Sequence, residues 1–268
     1  LADSLLRALP HPTPEQAENI AGLAALTGRP ILTANLLELT ASRGPLDYSG
    51  EPVRVAPPLT QAALRLRAYA SIGAPVDSLR AGILRTGKLI ESYTESSRVA
   101  ELRELLLERS LALAFPVLGK AAIPAGPAQH YLLRMEGALA KGDTVTYRKL
   151  LAEIRAARQP FRPGDYSIEG TYAEAATQLM ARDTADAEHL LDLSLNALPT
   201  LGTGLVTEVP QAAAITRAMA LRAKLAAHRR DQPTAARWAA GAATLWGSAE
   251  PALQSNLERM RRIMKGAE

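Results

Sequence analysis

YLLRMEGALA-KGD-TVTYRKLLAEI, residues 131–154, joins two helix-length runs through a short polar turn. The plan recurs in YAEAATQLMA-RDT-ADAEHLLDLSL (172–195) and in ITRAMALRAKLAA-HRRDQ-PTAARWAAGAATLW (215–246). Each run carries Ala where helices pack closely. A helix pair with one apolar face cannot bury that face alone, so a repeated pair implies stacked pairs sharing a continuous core.

Composition agrees with a helical fold. Hydrophobic residues make up 47% of the 268 residues but aromatics only 4%, so the buried surface must be built from Ala and Leu. These residues, with Arg and Glu, are strong helix formers, and long β-branched alternations are missing. The expected fold is all-α: a right-handed α-solenoid of about five antiparallel helix pairs with a C-terminal capping helix. It is expected to form a single domain over residues 1–268, with looser pairs over 1–127, the clearest repeats over 128–248 and the cap over 250–265. Starting at Leu1 without Met, the chain is expected to be a segment of a longer polypeptide. A cytoplasmic location is expected, or a periplasmic one if a removed signal peptide preceded Leu1.

Local signals place the elements. In HPTPEQAENIAGLAAL (11–26), Thr13 suits an N-cap, Pro14 the first helical position, and Glu15 and Glu18 the positive end of the dipole. Gly28 and Pro30 mark a turn into ILTANLLELTAS. The second pair is TQAALRLRAYASI, then GAP, then VDSLRAGILRTGKLIESY. SSRVAELRELLLERSLALAF (96–115) follows as a long amphipathic helix with Leu102, Leu105, Leu106 and Leu113 on one face. RGPLDYSGEPVRVAPPL (43–59) and RQPFRPGDYSIEG (158–170) are dense in Pro and Gly and are expected to be loops.

At these residues the chain resembles the tetratricopeptide repeat family. The fourth pair carries the likeness with Tyr172 and Ala175-Ala176 on its first helix, Ala187 and Leu191 on its second, and Pro199 at its close. The third pair offers Tyr131, Ala138, Gly142, Tyr147 and Leu151. The turns, near residues 28, 73, 142, 182 and 230, are spaced irregularly and mostly wider than the family's 34-residue period, and the family's Gly-Tyr signature is absent. The resemblance implies a non-enzymatic scaffold whose first helices line a concave groove for a protein or peptide partner. The alternative is a regulatory or ligand-sensing module of a larger signalling protein or enzyme.

Several chemistries lack their motifs. There is no cysteine, which excludes disulfides, thiolate catalysis and cysteine-ligated zinc. His189 and Asp192 lie three apart, but neither His-Glu-x-x-His nor a paired Glu-x-x-His occurs. His11, His130, His189 and His228 sit near no Gly-x-Ser-x-Gly elbow, and GTGLVTEVP (202–210) lacks the lysine of a phosphate loop and reads as a linker. No catalytic residue, metal or cofactor is expected. The most apolar run, SLALAFPVLGKAAIP, is broken by Pro116, Gly119 and Lys120, so no membrane span is expected. Net charge is +4, and from residue 210 onward ten cations face four acids. Cations at helix ends suit the dipole, and nucleic acid is not the expected partner.

Five of the nine Tyr and Phe residues fall between 131 and 172, among arginines. The candidate partner-binding set is therefore Gln129, Tyr131, Arg134, Arg148, Phe161, Arg162, Tyr166 and Tyr172, as large side chains beside cations. Tyr131, Tyr147 and Tyr172 also suit repeat-core positions, where they would fill gaps left by Ala-rich helices.

Overall fold

The computed structural model describes residues 2–9, 11–39, 57–72, 75–92, 99, 101–118, 128–157, 167–200, 202 and 204–267. The fold is all-α, with no strand among the described residues. The first half contains α1 (Ala2–Ala8), α2 (Pro14–Leu26), α3 (Pro30–Leu39), α4 (Pro57–Ile72), α5 (Val76–Glu91) and, after a π-helical turn over Arg103–Glu108, α6 (Arg109–Leu118). The second half contains α7 (Tyr131–Ala140), α8 (Thr144–Ala157), α9 (Ile168–Met180), α10 (Thr184–Ala197), the short α11 (Gly204–Thr207), α12 (Val209–His228), α13 (Gln232–Leu245) and α14 (Gln254–Met264).

The start of α2 follows from its sequence. Thr13 Oγ1 accepts from Gln16 N, and Gln16 Oε1 accepts from Thr13 N at 2.8 Å, a reciprocal capping box with Pro14 in the first turn. Other boundaries differ from expectation. The segment 43–59 lies outside the described residues except for Pro57, Pro58 and Leu59, which form the first turn of α4, where prolines cost no helical hydrogen bond. Of 158–170, residues 158–166 lie outside; Ser167 caps α9 by accepting from Gly170 N, so that helix begins at Ile168. Within 202–210, residues 204–207 are helical and α12 already begins at Val209. The helix expected over 96–115 is not regular: the π turn shifts its register, so that Leu107 and Leu111 are buried along with Leu102 and Leu113.

Three hairpins share one register. Each first helix ends on a left-handed residue, Gly142 (φ 74°), Arg182 (φ 64°) or Arg230 (φ 61°). The two amides at and after that residue bond back to Leu139 and Ala138, to Leu179 and Gln178, and to Ala227 and Ala226. Asp143, Asp183 or Asp231 follows, and the next helix starts from it. Seven residues before the left-handed position lie Met135, Ala175 and Ala223, all buried, and five after it lie Tyr147, Ala187 and Ala235, also buried.

The pairs do not touch only their neighbours. α12 packs against α13, α14, α9 and α10, and also against α2 and α4 from the first half. Val209, Ala212 and Ala213 of α12 join the core of α2, α4 and α6, while Ala214, Ile215 and Ala218 join the core of α10, α13 and α14. A helix apolar on nearly every side is buried on nearly every side. A small third core, Met135, Ala138, Tyr147, Leu150 and Leu151, closes the α7–α8 pair.

Candidate functional site

The first helices α4, α6, α9 and α12 converge on a polar junction. Arg67 lies on the buried stripe of α4 with Leu59, Ala63, Leu66 and Ala70. Its Nη2 donates to Glu169 Oε2 at 2.6 Å and its Nε to Oε1 at 3.2 Å, so the pair is bidentate. Both side chains are buried, at 5% and 1% exposure, where a lone charge would be very costly. Arg109 Nη2, from the start of α6, reaches the same Oε2 at 3.4 Å, and Gln211 Oε1 of α12 accepts from Glu169 N at 3.2 Å.

Glu108, the last residue of the π turn and the neighbour of Arg109, makes a different contact. Buried Glu108 receives Gln129 N and His130 N on one carboxylate oxygen, both at 2.7 Å, and so caps α7 at its positive end. His130 stacks on Tyr131 with ring centroids 4.9 Å apart. Burial and then the positive field of Arg109, against the opposing pull of Glu169, bring the His130 pKa down to about 4, so the imidazole is neutral at pH 7. At the far side Arg217 of α12 lies over the Tyr172 ring, 5.8 Å from its centroid, and donates to Ala70 O at 3.4 Å.

A second buried polar group separates α7 from α9. Glu136 is fully buried and accepts from Thr177 Oγ1 at 3.2 Å, while Gln178 Nε2 donates to Glu174 Oε1 at 3.3 Å. Burial pushes the Glu136 carboxyl up to about 9, only partly offset by the Thr177 bond, so it is held neutral at pH 7. Burial likewise raises the Tyr147 phenol to about 12. Arg67, Arg109 and Glu169 form an ion-pair cluster and Glu108 a helix cap, whereas Glu136 and Thr177 form a buried hydrogen bond without charge at pH 7. They tie helices together at a junction between distant parts of the chain.

The residues nominated from sequence fall on two sides of this junction. Gln129 is exposed and engaged through its backbone; Tyr131 and Tyr172 are half-buried against the cores; Arg134 and Arg148 are exposed. Phe161, Arg162 and Tyr166 lie outside the described residues. Tyr131 and Tyr172 both border the junction, whereas Arg148 sits on α8, away from it. Of the pair weighed for metal binding, His189 is exposed and Asp192 is taken up by Arg222 at 2.7 and 3.0 Å. No group of three or more His, Asp or Glu suited to a metal occurs among the described residues. No described helix is long and apolar enough to cross a membrane.

Sequence reasoning missed Arg67, Glu108, Arg109, Glu169 and Gln211. Their signal was a charged or polar residue in phase with an apolar stripe: Arg67 falls four after Ala63 and three before Ala70, and Glu136 falls four after Leu132. No protein-family model, no curated protein and no solved structure matches this chain.

Proposed function

We propose that the chain is a non-enzymatic helical-repeat scaffold that binds a protein partner. Its architecture on this reading is a right-handed, tetratricopeptide-repeat-like stack of about five pairs with α14 as the cap. The carrying observation is the register shared by the three hairpins. The family's unit has Gly and an aromatic three apart on the first helix and Ala and an aromatic four apart on the second. Here the corresponding positions are Met135 and Ala138, Ala175 and Gln178, Ala223 and Ala226, then Tyr147 and Leu151, Ala187 and Leu191, Ala235 and Ala239. Ala175, Ala187, Ala223 and Ala235 keep the small positions of the fourth and fifth pairs small, so those helices approach closely, whereas Met135 and Tyr147 fill them in the third pair and none of the six aromatic positions is aromatic.

The partner surface on this reading is the α7–α9 region. Tyr131 and Tyr172 offer partly covered rings, and Arg134 and Arg148 offer exposed charge. The test is charge reversal, with Arg134→Glu and Arg148→Glu combined and partner capture compared with the parent chain. Loss of the captured protein with unchanged helicity supports the surface; unchanged capture removes it.

A regulatory or ligand-sensing module is the second reading, and the Arg67–Glu169–Arg109 junction beside a neutral His130 is the observation that favours it. Such a module would couple ligand binding to the fit of α4 and α6 on α9. A rise in melting temperature with an anionic small molecule, abolished by Arg109→Ala, separates it from the scaffold.

A further inference from the structure

The third helix pair keeps a core of its own. Met135, Ala138, Tyr147, Leu150 and Leu151 close α7 on α8, whereas the fourth and fifth pairs share one core in which Ala175, Ala187 and Leu191 lie with Ala218, Ala223 and Ala235. The seat of α7 changes along its length. Its first turn is anchored, because Glu108 caps Gln129 N and His130 N while Leu132 and Leu133 join the core of α2, α4 and α6. One turn on, the seam with α9 is polar. Glu136 is fully buried, and Thr177 Oγ1, 3.2 Å from its Oε1, also lies 3.0 Å from Ala173 O, so a single hydroxyl proton serves two acceptors. Glu136 Oε2, Gln178 Oε1 and the Tyr147 hydroxyl are buried with no hydrogen-bond partner among the described residues. Such groups cost free energy while the seam is closed and regain hydration when it opens.

The outer ties of the pair are few. Half-buried Ala181 is the apolar contact that the end of α9 makes with the α7–α8 core. Arg155 of α8 pairs with Asp186 of α10, but the two side chains are 49% and 42% exposed, so water competes for them. We propose that α7–α8 is hinged at its anchored first turn and swings away from α9 and α10 along the polar seam when Glu136 loses its proton, while α9–α10 and α12–α13 stay together. The charged and titratable groups about the seam are Arg109 of α6, Tyr147 and Arg155 of α8, Glu169 and Glu174 of α9, and Asp183 and Asp186 at the start of α10. Burial raises the Glu136 carboxyl from 4.5 to about 9, against the smaller pull of Thr177, so opening releases a proton and is favoured as pH rises between these values. The Tyr147 phenol, pushed up to about 12, stays neutral over that range, and His130 belongs to the anchored end. Arg148 rides on α8 while Tyr172 stays on α9, so the hinge regulates the α7–α9 partner surface, a consequence that rests on the scaffold reading.

The chain has no cysteine, so a pair of introduced ones reports the hinge alone. Spin labels at Val145→Cys of α8 and His189→Cys of α10, both exposed positions, read the swing by pulsed dipolar distance measurements on the full chain. His189→Cys with Arg237→Cys of α13 is the reference pair. A second, longer α8–α10 distance should appear, and its ratio to the short one should rise by up to about tenfold per pH unit from about pH 6.5 to 9, with the reference distance unchanged. Glu136→Gln, which cannot ionise, should abolish that dependence. Thr177→Val takes away the hydroxyl that Glu136 bonds and should raise the open fraction at pH 7, which keeps the test in force should Glu136→Gln not fold. A single α8–α10 distance that does not move over this range overturns the proposal. So does a matching change in the reference pair, which marks general loosening, or a pH response that survives Glu136→Gln. These distances are read without a partner, so a hinge that moves in a chain whose capture is untouched by Arg134→Glu and Arg148→Glu supports the swing and removes only the partner surface.

Discussion

Glu169 receives Arg67 from 102 residues earlier in the chain, through two hydrogen bonds of 2.6 and 3.2 Å inside the protein. The pair fixes how α4 sits on α9, because neither charge has water to fall back on. Its geometry leads to an asymmetric prediction. Glu169→Ala removes the carboxylate that both hydrogen bonds of the buried pair reach and should cost about 3–5 kcal/mol. Arg109→Ala should cost less than about 1 kcal/mol, since Arg109 is 35% exposed and water screens its 3.4 Å contact. Urea unfolding of both variants measures the difference, and equal costs would show that Arg67 does not depend on Glu169.

The left-handed turn residues offer a second prediction. Arg182 and Arg230 hold φ of 64° and 61°, where an L side chain is strained and glycine is not. The equivalent Gly142 has nothing within 4 Å of where a Cβ would lie, so the conformation comes from the turn's own hydrogen bonds rather than from crowding. Arg182→Gly and Arg230→Gly should each stabilise the chain by about 0.5–1 kcal/mol, and Gly142→Ala should destabilise it by about 1 kcal/mol. A shift of either Arg→Gly variant to a lower urea midpoint contradicts this, and would mean that the arginine stem contributes packing.

Gly22 makes the third. A Cβ there would lie 2.1 Å from Val206 O, a backbone atom that cannot swing aside. Gly22→Ala must push α2 off α11, and should cost about 1–3 kcal/mol or more. Gly87, with nothing within 4 Å of its Cβ, is the internal control. Gly87→Ala in the middle of α5 should stabilise by roughly 0.5–1 kcal/mol, so opposite signs in thermal melts are the expected result.

What the chain revealed before its structure was local chemistry. The N-cap at Thr13 and the turns at Gly142-Asp143, Arg182-Asp183 and Arg230-Asp231 are read within a few residues, and the structure keeps them where sequence placed them. The π turn at Arg103–Glu108 was not legible, because its residues are ordinary helix formers and nothing in their local pattern marks the wider register. The junction was hidden for a different reason. Arg67, Glu169 and Gln211 are each unremarkable on their own helices, and they become a site only through the contact of α4 and α12 with α9. Tyr131 and Tyr172, expected from sequence as large side chains beside cations, are half-buried against the cores, and Arg148 faces solvent on α8. Long-range closure, such as the Glu250 carboxylate that accepts Ile31 N and Leu32 N of α3, has no signature in a single segment.

The fourth prediction concerns pH, where two buried groups pull in opposite directions. Glu136 has its pKa raised from 4.5 to about 9, so between these values the folded chain keeps a proton that the unfolded chain releases, and stability falls as pH rises. His130 has its pKa lowered from 6.5 to about 4, so between these values the unfolded chain gains a proton that the folded chain refuses, and stability falls as pH drops. From about 4.5 to 6.5 the two slopes oppose each other, and their sum should be nearly flat. Above 6.5 the Glu136 slope is no longer opposed by His130 and contributes a decline of up to about 1.4 kcal/mol per pH unit. Glu136→Gln keeps the shape and the Thr177 contact but cannot ionise, so it should flatten the alkaline limb and uncover the His130 slope, with stability falling as pH drops from about 6.5 to 4. His130→Gln removes the opposing slope below pH 6.5, so stability should fall continuously as pH rises from about 4.5 to 9. Urea midpoints taken at unit steps from pH 4 to 9 on the parent and both variants resolve the pattern, and an alkaline limb that survives Glu136→Gln would place its origin elsewhere.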